Sequence, residues 1–232
     1  MHLLFSKISH PAGNTLDPAC GRQNQPPVKN IIFDFGGVIC NIDVRISEKR
    51  FVELGFKVND PEYPAARSKQ LFGQLESGDL TPRQFRDELR PFFSRPLTDG
   101  QIDDAWNALL LDIPEARIRL LEQIRSNYRI FMLTNTNEIH YLRYRETFRS
   151  QYGYDDFDDL FEKAYYSYRI GLSKPDPAIF RHLLNDSRLD PSETLFIDDT
   201  LVHVESARSV GIHAHHLRIG TGEEIMELFG KQ

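Results

Sequence analysis

Five short apolar runs, each with a polar residue at or near its carboxyl end, constrain this chain more than any other feature. The first reads Ile31-Ile32-Phe33-Asp34-Phe35 and stops at Gly36-Gly37; the others are residues 129–134, 164–167, 194–198 and 212–215. Runs that are apolar throughout, rather than alternating with polar residues, have the pattern of parallel strands buried on both faces. Between the later runs, residues 116–126, 138–149, 177–184 and 202–210 carry apolar positions at helical spacing. Strand and helix in alternation predict an α/β fold, a parallel sheet covered on both faces, with ligands bound beyond the carboxyl ends of its strands.

One segment breaks the rhythm. Residues 44–112 contain no convincing central strand and predict helices at 46–54, 65–76, 82–93 and 99–111, two of them opened by the start signals Thr81-Pro82 and Thr98-Asp99. This helical insertion leaves after the first strand and returns before the second, so it is expected to sit over the sheet edge as a lid. Residues 1–28, rich in Pro, Asn, Gln and Gly without periodicity, are expected to form a flexible extension without chemistry. The expected core is therefore 29–43 together with 113–232.

Composition removes several classes of function. A hydrophobic share of 40%, a charged share of 27% and a net charge of -6 describe a globular protein whose field repels a polyphosphate backbone, so nucleic acid is not an expected partner. The two cysteines, Cys20 and Cys40, stand at neither zinc nor disulfide spacing, which fits a reducing cytoplasm. No apolar run approaches the ~20 residues that span a membrane, and the opening Met1-His2-Leu3-Leu4-Phe5 turns polar too early for an export signal. A small anionic substrate remains compatible, because a local pocket overrides a modest net charge.

The strand ends carry the chemistry. Asp34 precedes a Gly-Gly turn, where its carboxylate can attack an electrophile while nearby backbone N–H groups face an anion; the bland alternative is a turn former. Thr134 and Asn135 close the second run and offer donors suited to phosphate oxygens, with Asn137 as a cap for the helix that follows. Lys174 stands in a loop restrained by Pro175 and Pro177, where its charge can offset phosphate and carboxylate. Asp198-Asp199 are adjacent carboxylates that repel unless a cation lies nearby, and Mg²⁺ with its hard oxygen ligands is the natural one.

Together, Asp34-Phe35-Gly36-Gly37-Val38, Thr134-Asn135, Lys174-Pro175 and Asp198-Asp199 resemble motifs one to four of the haloacid dehalogenase superfamily, and the insertion after motif one resembles its first cap type. The phrases at 133–137 and 171–175 are most similar to the branch of sugar-phosphate phosphatases that includes bacterial glucose-1-phosphate phosphatases. The resemblance implies a Rossmann-like three-layer core with an α-helical cap, an aspartyl-phosphate intermediate, bound Mg²⁺ and a small phosphorylated metabolite as substrate. It assigns Asp34 as nucleophile and metal ligand, the Gly36 carbonyl and Asp199 as metal ligands, and Asp198 as a ligand acting through water. Thr134 and Asn135 would hold the phosphoryl group while Lys174 neutralises charge.

The chain departs from the family at Gly36, where an aspartate usually protonates the leaving group. General acid–base help is worth about 10²–10⁴ in rate, so the departure raises a rival reading: a weak or inactive phosphate- or partner-binding module. Asp43 and His140 are the candidates for a substitute acid or base, against plain roles at the hinge and in packing. A mutase would need the missing aspartate, and a dehalogenase would not need the Asp198-Asp199 pair with Lys174. His213, His215 and His216 read as edge-strand residues, Cys40 as a small buried apolar residue, and Trp106 with the phenylalanines of 44–112 as the insertion's own core.

Overall fold

A computed structural model describes residues 26–57 and 65–229; apart from 26–28, the expected N-terminal extension lies outside these. The first run forms β1 (Asn30–Phe33), buried at every position. After it come α1 (Val44–Glu53), α2 (Ala65–Glu76), α3 (Pro82–Leu89) and α4 (Asp99–Asn107). The chain continues through α5 (Glu115–Ile124), β2 (Arg129–Thr134), α6 (Glu138–Tyr152), β3 (Lys163–Tyr166) and the single turn α7 (Ser167–Ile170). It closes with α8 (Pro177–Ser187), β4 (Thr194–Asp198), α9 (Leu201–Ser209) and β5 (His213–His216).

The strands lie in the order β3-β2-β1-β4-β5, and every neighbouring pair is parallel. From central β1 the chain builds outward to β2 and β3, then crosses to β4 and β5 on the other side. Such a reversal opens a crevice at the carboxyl end of the central strand. Successive side chains alternate between faces. Ile31, Phe33, Met132 and Ile197 pack with Ile118, Leu121, Tyr144 and Phe148, while Ile32, Phe131, Leu133 and Phe196 pack with Ile179, Phe180, Leu183 and Ala207. Both faces are covered, and the exposed strand positions, Arg129 and Lys163, stand at the amino ends of β2 and β3.

Helices α1 to α4 share a separate apolar cluster around Phe51, Phe72, Phe85, Phe92 and Trp106, joined from the core by Ile139. Capping boxes start two of them: Thr81 with Gln84 ahead of Pro82, and Thr98 with Gln101. The two chain crossings to the sheet run side by side. Asn41 N–H donates to Asp112 O, Leu111 N–H to Asn41 O and Asp43 N–H to Leu109 O, each at 2.9 Å. These bonds explain why α4 ends at Asn107 rather than at 111, since residues 109–112 serve as the return crossing. Helix α6 runs past 149 to Tyr152, where Gly153 takes φ 73° and closes it on Arg149 O. Among the described residues no helix is long and apolar enough to cross a membrane.

Candidate active site

Parallel pairing delivers the first and fourth motifs to one place. Phe33 lies in register with Met132 and Ile197, and Asp34 N–H extends the ladder to Ile197 O at 2.9 Å. Asp34 therefore stands at the mouth of the crevice beside the ends of β2 and β4. It is buried, and its Oδ1 accepts from Phe35 N–H at 2.7 Å.

Lys174 reaches this point from the loop before α8. Its side chain is fully buried, and Nζ lies 2.9 Å from Asp34 Oδ1, 2.7 Å from Asp198 Oδ2 and 3.0 Å from Leu133 O. An ammonium has three N–H donors, and all three are used. Asp198 is also bound by Thr200 N–H at 2.7 Å and by His203 Nδ1, 3.1 Å from both carboxylate oxygens. Asn135 fixes the lysine loop from across the crevice: its Oδ1 accepts from Lys174 N–H at 2.8 Å and its Nδ2 donates to Lys174 O at 2.7 Å.

Asp199 lies over the turn after Asp34. Gly37 has φ 82°, and a Cβ there would meet Asp199 Oδ2 at 2.7 Å, so only glycine permits this approach. Two carboxylates thus share one ammonium, and Asp199 adds a third negative charge close to Asp34. Desolvation raises the Asp34 carboxyl well above the ordinary range; Lys174 opposes this, and Asp198 and Asp199 add to the rise. Burial acts the same way on Asp198, but Lys174 and His203 outweigh it and hold that carboxyl below the ordinary range. Lys174 is desolvated too, yet Asp198 and Asp34 keep its ammonium above the usual lysine range.

A divalent cation fits this imbalance. Asp34, Asp198 and His203 bring ligand atoms within 4.8 Å of one another, but the Lys174 ammonium already bridges the two carboxylates. The other side of Asp34 is different: Oδ2 has no hydrogen-bond partner among the described residues, and Asp199 lies against the Gly36-Gly37 turn that follows Asp34. That donor set of carboxylates and a carbonyl suits Mg²⁺.

Several expected residues take other positions. The Asn135 side chain is spent on the lysine loop, which leaves its backbone N–H for an anion. Gly37 N–H is bonded within the turn to Cys40 O at 2.8 Å. Asp43 caps α1 and its carboxylate is paired with Arg45 at 2.6 Å, which holds it below the ordinary carboxylate range, ionised at neutral pH. His140 is buried, with Nδ1 2.9 Å from Asn107 of α4 and its ring against Trp106; desolvation pushes it down to about 3, so it is neutral. Both therefore serve hinge and packing, and neither is suited to donate a proton near neutral pH. Cys40 is buried with its thiol pushed up to about 12 by desolvation, and His216 on the edge strand faces Asp199 O at 3.1 Å. His203 is absent from the sequence reading; its signal is its place in the first turn of the helix after Asp198, which turns it back onto that carboxylate.

The comparisons agree with this geometry. A family model of haloacid dehalogenase-like hydrolases matches residues 28–211. D-ribitol-5-phosphate phosphatase of Bacteroides thetaiotaomicron is 32% identical over 184 residues, covering 79% of this chain and 89% of that protein. Sesquiterpene phosphatase of Aspergillus oryzae is 28% identical and covers 87% of this chain and 97% of its own. A solved HAD family enzyme from Bacteroides thetaiotaomicron, in complex with magnesium and inorganic phosphate, is 35% identical with a TM-score of 0.77, covering 87% of this chain and 99% of that one. The chain belongs to the haloacid dehalogenase-like hydrolases and is a phosphatase of that type.

Proposed function

We propose that the chain hydrolyses phosphate monoesters of small polyols or sugars, with Asp34 as nucleophile. The observation that carries this is the buried Asp34 carboxylate at the switch point of the sheet, tied to Lys174 through one oxygen and left unpaired at the other. Asp34 attacks phosphorus, the bond from phosphorus to the ester oxygen breaks, and the departing alkoxide takes a proton from water. Water then cleaves the aspartyl-phosphate to release inorganic phosphate. Thr134 Oγ1 and the Asn135 N–H stand at the end of β2 for the phosphoryl oxygens, and Lys174 offsets their charge.

Mg²⁺ would be held by Asp34, the Gly36 carbonyl and Asp199, with Asp198 acting through a water, and would supply positive charge to offset that of the phosphoryl group. Asp198 is already engaged by Lys174, Thr200 and His203, which supports this order of ligands. Residues 44–112 form the cap, anchored on the core through the bond from Asn107 to His140. The polyol or sugar assignment draws on the named activity of the ribitol-phosphate relative.

The rival, a phosphate-binding module without turnover, rests on Gly36, beside which Ile42 Cδ1 stands 3.2 Å from where a Cβ would lie. One experiment separates the two. Phosphate release from D-ribitol 5-phosphate and from an aryl phosphate is measured with Mg²⁺, for the native chain and for Asp34→Asn. Release that the variant lacks, with its circular dichroism unchanged, is expected; binding without release would favour the module.

A further inference from the structure

Helix α2 ends against the core. A helix leaves its last four carbonyls open, and three of those of α2 are closed within the turn that follows. Gly73 O accepts from Ser77 N–H at 2.9 Å, Gln74 O from Leu80 N–H at 3.1 Å and Leu75 O from Gly78 N–H at 3.2 Å. The fourth, Glu76 O, accepts at 2.6 Å from the hydroxyl of Ser167, the first residue of α7. Gly78, with φ 79°, lies so close to the next residue of α7 that a Cβ would meet Tyr168 O at 2.2 Å. The insertion therefore rests on residues 167 and 168, at the carboxyl end of β3.

Ser167 is fully buried, and its hydroxyl also serves the turn after β2. Its Oγ accepts from Thr136 N–H at 2.9 Å and lies 3.0 Å from Thr136 O. Thr136 directly follows Thr134 and Asn135; Thr134 is in register with Tyr166, the residue before Ser167. Since Asn135 is gripped by Lys174 through two bonds, Ser167 supplies a second hold on the same turn. A hydroxyl has a single hydrogen. Two carbonyls, Glu76 O and Thr136 O, stand within its reach, and rotation about the Cβ–Oγ bond carries it from one to the other. A buried donor left without an acceptor is costly, and this one keeps an acceptor whether or not α2 is seated.

We propose that Ser167 is a positioning residue that links the turn at 134–136 to the seating of the insertion. The inference rests on the phosphatase reading above, in which Thr134 Oγ1 and the Asn135 N–H receive the phosphoryl oxygens. With α2 seated, the hydrogen goes to Glu76 O and Thr136 is held through its N–H alone. With α2 drawn back, the hydrogen goes to Thr136 O, and that residue is held at both its N–H and its carbonyl. The turn that carries the phosphoryl donors thus has two arrangements, and α2 decides between them. Such coupling is reciprocal: an anion that favours one arrangement tightens or loosens α2 by the same factor. In this structure the seated α2 accompanies the complete cluster of Asp34, Lys174 and Asn135, so phosphate is expected to favour seating.

The test follows amide hydrogen exchange at Ser77, Gly78 and Leu80 with Mg²⁺ alone and with Mg²⁺ and inorganic phosphate, in the native chain and in Ser167→Ala. Phosphate is expected to slow exchange there about 3- to 10-fold in the native chain, the range of one neutral hydrogen bond. In Ser167→Ala, saturated with phosphate as judged by calorimetry, that response is expected to vanish; a purely structural role would lower the melting midpoint and leave the response in place. Ser167→Cys, close in size and a weaker donor, guards against a variant that does not fold and is expected to respond in between. A second readout is the phosphate affinity of Gly78→Ala, whose new methyl group pushes α2 off Tyr168: a loss of about 3- to 10-fold is expected in the native background and none in Ser167→Ala. A native chain without a phosphate response, a response that survives in Ser167→Ala, or additive effects of the two substitutions overturns the proposal. Neither readout needs turnover, so a response without release of phosphate from esters would count against the phosphatase reading alone, and release without a response against this link alone.

Discussion

Replacing Lys174 by methionine removes the ammonium and keeps most of the side-chain volume. The native Nζ holds Asp34, Asp198 and Leu133 O at 2.9, 2.7 and 3.0 Å with no solvent contact. Removing one partner of a buried ion pair costs about 3–5 kcal/mol, because the remaining charge is left buried and uncompensated; here two carboxylates and a carbonyl lose a donor. The expected loss at pH 8 without divalent cation is therefore about 3–5 kcal/mol, roughly 10²- to 10⁴-fold in the folding equilibrium. The sign of the pH dependence follows from the same charges. In the native chain Asp198 is held below the ordinary range, mainly by Lys174 and His203 against burial, so its contribution is present above the unfolded pKa and lost as pH falls through the folded one. Without the lysine, desolvation dominates: Asp34, already raised in the native chain, rises further and Asp198 passes from below to above its unfolded value, so the variant loses stability relative to the native chain as pH climbs past about 4. Urea unfolding at pH 5 and pH 8 is expected to give a smaller difference between variant and native chain at pH 5, and Lys174→Met with Asp198→Asn is expected to recover part of the loss. A cost below about 1 kcal/mol at pH 8, or a gap that does not narrow at pH 5, would refute the charge balance inferred for this site.

Mg²⁺ is expected to raise the melting midpoint of the native chain in a concentration-dependent way, as any ligand of the folded state does, and Asp199→Asn to remove most of that rise; a chelated protein with full activity would dismiss the cation. Gly37→Ala forces a side chain into the left-handed region and against Asp199, so a loss of about 1–2 kcal/mol from the backbone and weaker Mg²⁺ binding are expected from denaturant melts and cation titration. With no acid at Gly36 the leaving group depends on its own acidity, so kcat/KM across a graded series of aryl phosphates is expected to rise with that acidity, and sugar 1-phosphates to outrun 6-phosphates. A flat series, once chemistry is known to limit the rate, would mean that a proton donor exists.

The sheet and the order of its functional residues were legible because the signal is local: an apolar run and the polar residue that ends it. The β2 and β4 bounds, 129–134 and 194–198, match the sequence reading, and the insertion was visible as a stretch without such runs. Side-chain destinations were not legible. Asn135 reads as a phosphate donor from its position after Thr134, yet its amide has two complementary partners on Lys174, a residue 39 positions away, and long-range pairing of that kind leaves no periodic trace. Asp43 and His140 drew attention as titratable groups near motifs, but what decides their chemistry is Arg45 in one case and burial against Trp106 and Asn107 in the other.

The division of labour in the fold explains how Gly36 is tolerated. At the sheet edge Lys174 ties Asp34 and Asp198 together, with Asp199 over the turn after Asp34. The insertion meets the core through other bonds, from Ser167 Oγ to Glu76 O and at Gly78 against Tyr168. On the proposed roles, glycine at residue 36 is therefore expected to weaken proton delivery while the bonds of Lys174 to Asp34 and Asp198 stay in place. Ile42 fills the space beside Gly36, at 3.2 Å from where a Cβ would lie, so Gly36→Asp alone meets this side chain. Gly36→Asp together with Ile42→Ala opens room for the carboxyl, and flattening of the leaving-group dependence in that double variant, with nucleophile and metal requirement unchanged, is the outcome that this separation requires.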